Sequence, residues 1–191
     1  MSIKLATIGN GMVGHRLIEE PVEKSQPGQF EITVFCEEPR VAYDRVHLSA
    51  YFSHHTAEEL SLVREGYYQK HSINVLIGER AILINREEKV IHANGGRLVH
   101  YDKLVLATGS RPWVPPIPGA EGADCFVYRT IEDLNGIEAC ARRSKRGAVV
   151  GGGLLGLEAA GALKNLGIET HVIEFAPVLM AEQLDRMGGE Q

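Results

Sequence analysis

The hydrophobic residues of this chain fall into short runs that alternate with glycine-rich turns and amphipathic stretches. Residues 3–8 have the pattern of a buried strand, and residues 30–35, rich in β-branched and aromatic side chains, have the same pattern. Between them lies a helical pattern from about Met12, which we expect Pro21 to disrupt, because proline lacks the N–H of a helix hydrogen bond. This order predicts a β-α-β unit, the building element of parallel α/β sheets.

The pattern changes in the middle of the chain. Residues 74–77 predict a third strand, and short alternating runs at 81–84, 89–92 and 97–100 predict an antiparallel hairpin or meander. Residues 104–107 predict a further buried strand. The segment from Thr56 to Glu59 has the spacing of a capping box and predicts the start of a helix.

The remaining residues predict a second β-α-β unit. Thr130 predicts the N-cap of a helix to about Arg143, followed by a strand at 148–150, a helix at 154–166 and a strand at 170–173. Four prolines between Arg111 and Gly119 exclude a helix or a central strand there, so we place a domain boundary at residue 118. Few residues follow Glu174, and we expect the second domain, 119–191, to be truncated.

Each β-α-β unit carries a glycine-rich turn with the spacing G-x-G-x-x-G. In this arrangement the first glycine makes the tight turn, the second lets a diphosphate approach the backbone, and the third lets the helix pack on the strand. A helix N-terminus also favours anions. The two turns therefore predict two dinucleotide sites. We assign to these sites Gly9, Gly11, Met12, Val13 and Gly14, and Gly151, Gly153, Leu154, Leu155 and Gly156.

Acidic residues follow the second strand of each unit. A carboxylate at this position accepts hydrogen bonds from the hydroxyls of a ribose. In the first unit the sequence leaves Glu37 and Glu38 as alternatives, with a slight preference for Glu37, which is nearer the strand end. In the second unit Glu174 favours NADH over NADPH, because a carboxylate repels a 2′-phosphate; an ordinary strand-end acid is the alternative.

Composition and charge exclude several other functions. A formal net charge of -5 without a dense basic block argues against nucleic acid and anionic membranes as partners. Cys36, Cys125 and Cys140 are too widely spaced for a metal knuckle or a redox-active disulfide, and the adjacent His54 and His55 predict a solvated loop. No apolar run is long enough to cross a bilayer and no export signal is visible, so we expect a cytoplasmic protein.

Four ordered motifs resemble one family of flavoproteins. They are Gly9–Gly14, Cys36–Ser49, Ala107–Pro112 and Gly151–Glu158. Together they resemble the pyridine nucleotide-disulfide oxidoreductase-type flavoproteins, and within these the N-terminal part of the large subunits of bacterial NAD(P)H-dependent nitrite reductases. The resemblance implies an α/β fold with a doubly wound FAD-binding domain and a small antiparallel meander, followed by the first β-α-β of an NADH-binding domain.

The resemblance also implies further cofactor neighbours. For FAD these are Arg45, Ala81, Thr108, Gly109 and Arg111. Arg45 would donate a charge-assisted hydrogen bond to phosphate or flavin, although a surface ion pair is its alternative.

Glu158 is either a buried acid near the nicotinamide or a residue of the helix surface. Related flavoproteins often place a lysine after the Leu-Ser pair to partner this glutamate. Ala50 stands there instead, which puts the role of Glu158 in doubt.

As a function, the resemblance implies the electron-input (diaphorase) module of an assimilatory-type nitrite reductase, which passes electrons from NADH through FAD to metal centres. The iron–sulfur cluster and sirohaem would belong to a missing C-terminal part, because this chain lacks the cysteine spacing for them. No catalytic side chain is expected, since the flavin carries the redox chemistry. The small subunit and a second copy of the chain are potential partners.

Two alternatives stay open. One is a stand-alone reductase of a ferredoxin- or rubredoxin-like protein, docked on the basic run from Arg142 to Arg146. The other is a catalytically silent dinucleotide-binding fragment.

Overall fold

The computed structural model describes residues 2–53 and 56–189, so the predicted loop at His54 and His55 lies outside the described residues. The chain divides into two compact units. The first contains the described residues up to Asp44 together with Ser61–Arg111, and the second contains Arg45–Leu60 and the residues from Pro112 onward. The structural division therefore falls at Arg111, whereas the sequence analysis placed a boundary at residue 118. The assignment of one cofactor to each domain stays a prediction.

A parallel four-stranded sheet forms the centre of the first unit. Its elements are β1 (Ile3–Ile8), α1 (Met12–Lys24), β2 (Phe30–Cys36), α2 (Tyr67–Lys70), β3 (Asn74–Ile77), β4 (Ala81–Asn85), β5 (Val90–Ala93), β6 (Leu98–His100) and β7 (Lys103–Leu106). The sheet order is β3-β2-β1-β7, and every pair in it is parallel. Both α1 and the glycine turn that precedes it therefore follow the carboxyl end of a central strand, where α/β folds bind their ligands.

The core of this unit follows from the apolar faces of β1, β2 and α1. Ile18, on the inner face of α1, is fully buried, as is Val34 on β2. Both belong to one cluster with Leu5, Ile32 and Ile73. Burying a side chain of this size contributes about 1.5–3 kcal/mol, so this cluster holds the helix, and with it the glycine turn, on the sheet.

The predicted meander is confirmed as a separate three-stranded sheet in the first unit. β4 pairs with β5 and β5 with β6, both antiparallel. The turn between β5 and β6 contains Asn94, Gly95 and Gly96, and Gly96 has a positive φ of 79°. The pairing of β4 shifts register between Ala81 and Leu83, which marks a bulge near the start of that strand.

The second unit contains the second β-α-β. It consists of a 3₁₀ turn (Leu48–Ser53), α3 (Ile131–Ala141), β8 (Arg146–Val150), α4 (Leu154–Asn165), β9 (Glu169–Ile173) and α5 (Arg186–Gly189). β8 and β9 are parallel, with Val150 opposite Ile173. Thr130 caps α3 in a reciprocal capping box with Asp133, as its sequence predicts. Within the described residues, no helix has the length and apolar character needed to cross a bilayer.

Two local predictions were wrong. Pro21 does not interrupt α1, which continues to Lys24. The missing N–H falls in the last turn of the helix, and the neighbouring Val22 packs on the core, so little helix remains to be broken. Thr56 and Glu59 do form both bonds of a capping box, at 3.2 and 2.8 Å, but a turn rather than a helix follows. A cap satisfies backbone groups and does not supply the packing that sustains a helix.

Candidate dinucleotide-binding sites

The first glycine turn lies between β1 and α1 and is tightly packed. Gly9 has a φ of +108°, in the region that side-chain-bearing residues rarely adopt. A Cβ on Gly9 would overlap the carbonyl oxygen of Ala107 and lie 2.7 Å from its carbonyl carbon. A Cβ on Gly14 would overlap the carbonyl oxygen of Gly9. Only glycine fits at these two positions, because a Cβ at either one would collide with backbone atoms.

Gly11 differs from its two neighbours because its Cβ would meet open space. It is the N-cap of α1 and makes no side-chain capping bond, and no heavy atom lies within 4 Å of the Cβ it lacks. The amides of the first helical turn have no partner within the helix, and together with the helix dipole they attract negative charge. An open, anion-attracting helix start fits the diphosphate of a dinucleotide.

The second glycine turn, between β8 and α4, has a similar backbone, although a Cβ on Gly151 would meet open space where one on Gly9 meets Ala107. Gly151 has a φ of +118°, and a Cβ on Gly156 would overlap the carbonyl oxygen of Gly151. Gly153 is the N-cap of α4, again without a side-chain capping bond and with nothing within 4 Å of its missing Cβ. Each unit therefore contains one glycine turn that leads into an open, uncapped helix start.

The acid of the second unit is in place beside this turn. Glu174 follows β9 directly, and its carboxylate accepts hydrogen bonds from the backbone N–H groups of Gly152 and, at 2.8 Å, Ala176. These bonds, the one from Ala176 first, hold the pKa of Glu174 below its usual value. Glu174 is thus an ionised acceptor at the strand end, as a ribose-binding acid must be.

In the first unit, the position that corresponds to Glu174 is not occupied by an acid. Phe35 is opposite Ile8 in the first sheet, as Ile173 is opposite Val150 in the second. The counterpart of Glu174 is therefore Cys36, the last residue of β2. Its thiol is buried and donates a hydrogen bond to the carbonyl of Arg40 at 3.0 Å.

Glu37 and Glu38 both lie beyond this position. Glu37 is exposed, with its carboxylate 3.7 Å from the guanidinium of Arg80. Glu38 accepts a hydrogen bond from the hydroxyl of Tyr43 at 2.8 Å. The choice between the two stays a prediction. The sequence analysis missed Cys36, although counting residues from each β-α-β strand would have found it.

The residues between the glycines lie on the first turns of the two helices. Val13 and Leu155 are exposed to 71% and 63%, and Leu154 is also largely exposed. Met12 and Val13 line an apolar groove along α1, together with Leu17 and others. Their backbone amides belong to the anion-attracting turns, while the side chains of Val13, Leu154 and Leu155 are exposed.

The remaining predicted FAD neighbours are spread over the first unit. Ala81 begins β4, while Thr108 and Gly109 follow β7, and Gly109 has a φ of +69°. Ala107, just before them, is the residue whose backbone packs against Gly9. Arg111 is exposed at the end of the unit. The structure thus joins the strand end at Ala107–Gly109 to the first glycine turn.

Arg45 and Glu158 both belong to the second unit. The Nη1 of Arg45 donates a hydrogen bond to the carbonyl of Arg129 at 3.3 Å. Glu158 lies exposed on α4, so it is a residue of the helix surface and not a buried acid. Burial and the nearby charge of Glu158 raise the pKa of Tyr128 to about 12. Tyr128 also stacks on Phe52, with ring centroids 6.4 Å apart.

Comparison with known proteins identifies the family of the chain. The sequence profile of the family described as pyridine nucleotide-disulphide oxidoreductase matches residues 3–191. The chain belongs to this family. The predicted resemblance and the predicted α/β class are therefore confirmed.

Similar proteins include two nitrite reductase large subunits. The NADH nitrite reductase large subunit of Escherichia coli (strain K12) is 79% identical over 99% of this chain and 22% of its own length. The NAD(P)H nitrite reductase large subunit of Klebsiella oxytoca is 54% identical over 96% of this chain and 19% of its own length. The chain thus spans about a fifth of these relatives.

Among solved structures, NADH:rubredoxin oxidoreductase from Clostridium acetobutylicum is similar, with a TM-score of 0.88 and 25% identity. The match covers 100% of this chain and 49% of that one.

Proposed function

We propose that this chain is the electron-input part of an assimilatory-type NADH-dependent nitrite reductase, with FAD on the first glycine turn and NADH on the second. The observation that carries the proposal is the repeated turn. Gly11 and Gly153 are both uncapped helix starts with open space where a side chain would be. Each follows a glycine with a positive φ and precedes a glycine whose missing Cβ would overlap backbone. The close likeness to nitrite reductase large subunits supports this function.

The residues present fit both cofactors. When bound, FAD would supply the redox chemistry, which is hydride acceptance from NADH and release of electrons one at a time. The chain binds each diphosphate through the first-turn amides of α1 and α4. Glu174, held ionised by two backbone amides, accepts hydrogen bonds from a ribose and repels a 2′-phosphate. Either Glu37 or Glu38 accepts hydrogen bonds from the FAD ribose. These residues bind and orient, and none of them transfers a proton.

A reconstitution experiment tests this assignment. The purified chain is mixed with FAD, freed of excess flavin, and titrated anaerobically with NADH while the visible flavin absorbance is followed. We expect flavin to be retained and bleached by NADH. The Gly153→Val variant should retain flavin but resist bleaching, whereas Gly11→Val should lose the flavin. Retained flavin that NADH never bleaches would contradict the NADH assignment, and failure to retain flavin would favour the silent-fragment alternative.

A second candidate is a reductase that serves a separate electron carrier. The likeness to an NADH:rubredoxin oxidoreductase favours it, although at much lower identity than the nitrite reductases. The basic segment from Arg142 to Arg146 would be the docking surface, but Arg142 and Arg143 already pair with Glu138 and Asp124. Rapid NADH-dependent reduction of added rubredoxin or ferredoxin, slowed by salt, would support this candidate.

For the whole protein, we propose a cytoplasmic enzyme that takes part in nitrate assimilation. The iron–sulfur cluster and sirohaem would be carried by the part of the relatives that this chain does not match. The nitrite reductase small subunit and a second copy of the large subunit are its proposed partners. Co-purification of the full-length protein with that subunit, and its mass in solution, would test both.

A further inference from the structure

A buried polar cluster lies beneath the first glycine turn. Asn10, between Gly9 and Gly11, donates from its side-chain amide to the hydroxyl of Tyr68 at 3.1 Å. The same hydroxyl lies 3.1 Å from Nδ1 of His15, on the second turn of α1. The backbone N–H of Ala42 donates to the side-chain oxygen of Asn10 at 3.0 Å. The three side chains thus connect the turn to α1, to α2 and to the segment after β2.

These groups are removed from water, which makes their hydrogen bonds consequential. Asn10, Tyr68 and His15 are only 8%, 6% and 5% exposed. A buried polar group that loses its partner costs more than the bond itself contributes. Burial also raises the pKa of Tyr68 to about 12 and lowers that of His15, so both are neutral at physiological pH. The cluster is therefore a neutral network with strict requirements for its partners.

The second glycine turn is held in place by different contacts. There the residue between the first two glycines is Gly152, which has no side chain, and its backbone N–H is held by the carboxylate of Glu174. The counterpart of Glu174 in the first unit is Cys36, whose thiol is committed to the carbonyl of Arg40. The strand-end position that holds a carboxylate in the second unit thus holds a thiol in the first. In the first turn the side chain of Asn10 instead bonds to Tyr68 and to the backbone of Ala42.

We propose that Asn10 is the positioning residue of the first glycine turn, and that the hydroxyl of Tyr68, itself supported by His15, holds Asn10 in place. The proposal rests on the proposed function in one respect, that the turn binds the diphosphate of FAD. Asn10 itself does not touch the diphosphate. It fixes the backbone of Gly9–Gly11, so that the first-turn amides of α1 are aimed before FAD arrives.

The neighbouring tyrosine provides a matched control. Tyr67 precedes Tyr68 on α2, and its ring also packs edge-on against His15, with centroids 5.5 Å apart. Its hydroxyl is buried but has no hydrogen-bond partner. Tyr67→Phe therefore removes a buried hydroxyl from the same helix without removing a hydrogen bond to Asn10. Tyr68→Phe removes the hydroxyl that holds it.

Two readouts are compared in these variants of the 191-residue chain. The first is amide hydrogen exchange without FAD at Gly9 and His15, whose N–H groups are bonded to the carbonyls of Phe35 and Gly11 at the two ends of the turn, measured alongside the melting temperature. The second is the Kd for FAD, measured by quenching of flavin fluorescence. For Tyr68→Phe we expect turn exchange about tenfold faster and an FAD Kd about tenfold higher, while Tyr67→Phe matches the parent in both. In an Asn10→Ala background, Tyr68→Phe should no longer change the FAD Kd, because the group it positions is gone.

The outcomes separate the inference from the proposed function. Turn exchange in Tyr68→Phe equal to that in Tyr67→Phe would overturn the inference, even if the melting temperature falls. The inference also fails if Tyr68→Phe weakens FAD binding equally in the parent and in the Asn10→Ala background. If the parent chain binds no FAD at all, the proposed function fails for this chain, and the exchange comparison alone decides the role of Asn10.

Discussion

Replacing Gly14 with alanine tests the packing of the first turn most severely. The added Cβ would overlap the carbonyl oxygen of Gly9 and lie 3.0 Å from its carbonyl carbon, whereas ordinary contact begins at 3.4 Å. Both obstacles are backbone atoms, so no rotamer change can relieve them. Overpacking of this kind costs about 1–3 kcal/mol, and because the obstacle is backbone we take the upper end of that range; the higher helix propensity of alanine returns about 0.5–1 kcal/mol. We therefore expect a net loss of about 2 kcal/mol.

The melting temperature of the apo chain is the appropriate assay. For a domain of about a hundred residues, 2 kcal/mol corresponds to a decrease of roughly 8–16 °C. Gly11→Val is the matched control, because Gly11 has a φ of -94° and open space around its missing Cβ. Gly11→Val should lower the free energy of unfolding by less than about 1 kcal/mol, because only helix capping is affected. It should nevertheless weaken FAD binding at least about tenfold. An unchanged melting temperature in Gly14→Ala would refute the packing argument.

Three further predictions concern other parts of the chain. Glu174→Ala in the full-length enzyme should shrink the preference for NADH over NADPH in steady-state kinetics, whereas alanine at the exposed Glu169 of β9 should leave that preference unchanged. Unchanged selectivity in Glu174→Ala would count against the ribose role. His15 is buried and its pKa is lowered mainly by desolvation, so the unfolded chain binds its proton first as the pH falls below 6.5. The free energy of unfolding should therefore decrease as the pH is lowered below 6.5, and it should decrease less in His15→Gln. Denaturant titrations at several pH values measure both. Thr130→Ala should cost about 1 kcal/mol because it uncaps α3. Thr56→Ala, at a capping box without a helix, should cost less; equal melting temperatures would show that the capped helix adds nothing.

Much of the fold could be predicted because its signals are local. The runs at 3–8 and 30–35 became β1 and β2, and the glycine turns fell between strand and helix as their spacing indicates. The same locality explains the errors. Pro21 and the box at Thr56 are local signals, and whether a helix continues or begins there depends on packing that the local sequence does not contain.

The site could be predicted only as far as it depends on spacing. The glycines and Glu174 are specified by their positions along the chain. The support of the first turn depends on contacts between distant residues, since Asn10 and Tyr68 are 58 positions apart. The strand registers confirm that Cys36 stands where Glu174 stands in the second unit, a correspondence that counting from the predicted strand ends could have given.

The central claim is that each glycine turn holds the diphosphate of its own dinucleotide. Chemical-shift mapping of the backbone amides, with FAD and NADH added in separate titrations, tests it most directly. FAD should shift the amides of Gly11, Met12 and Val13, and NADH those of Gly153, Leu154 and Leu155. Binding of either cofactor that leaves its assigned helix start unshifted would contradict the claim.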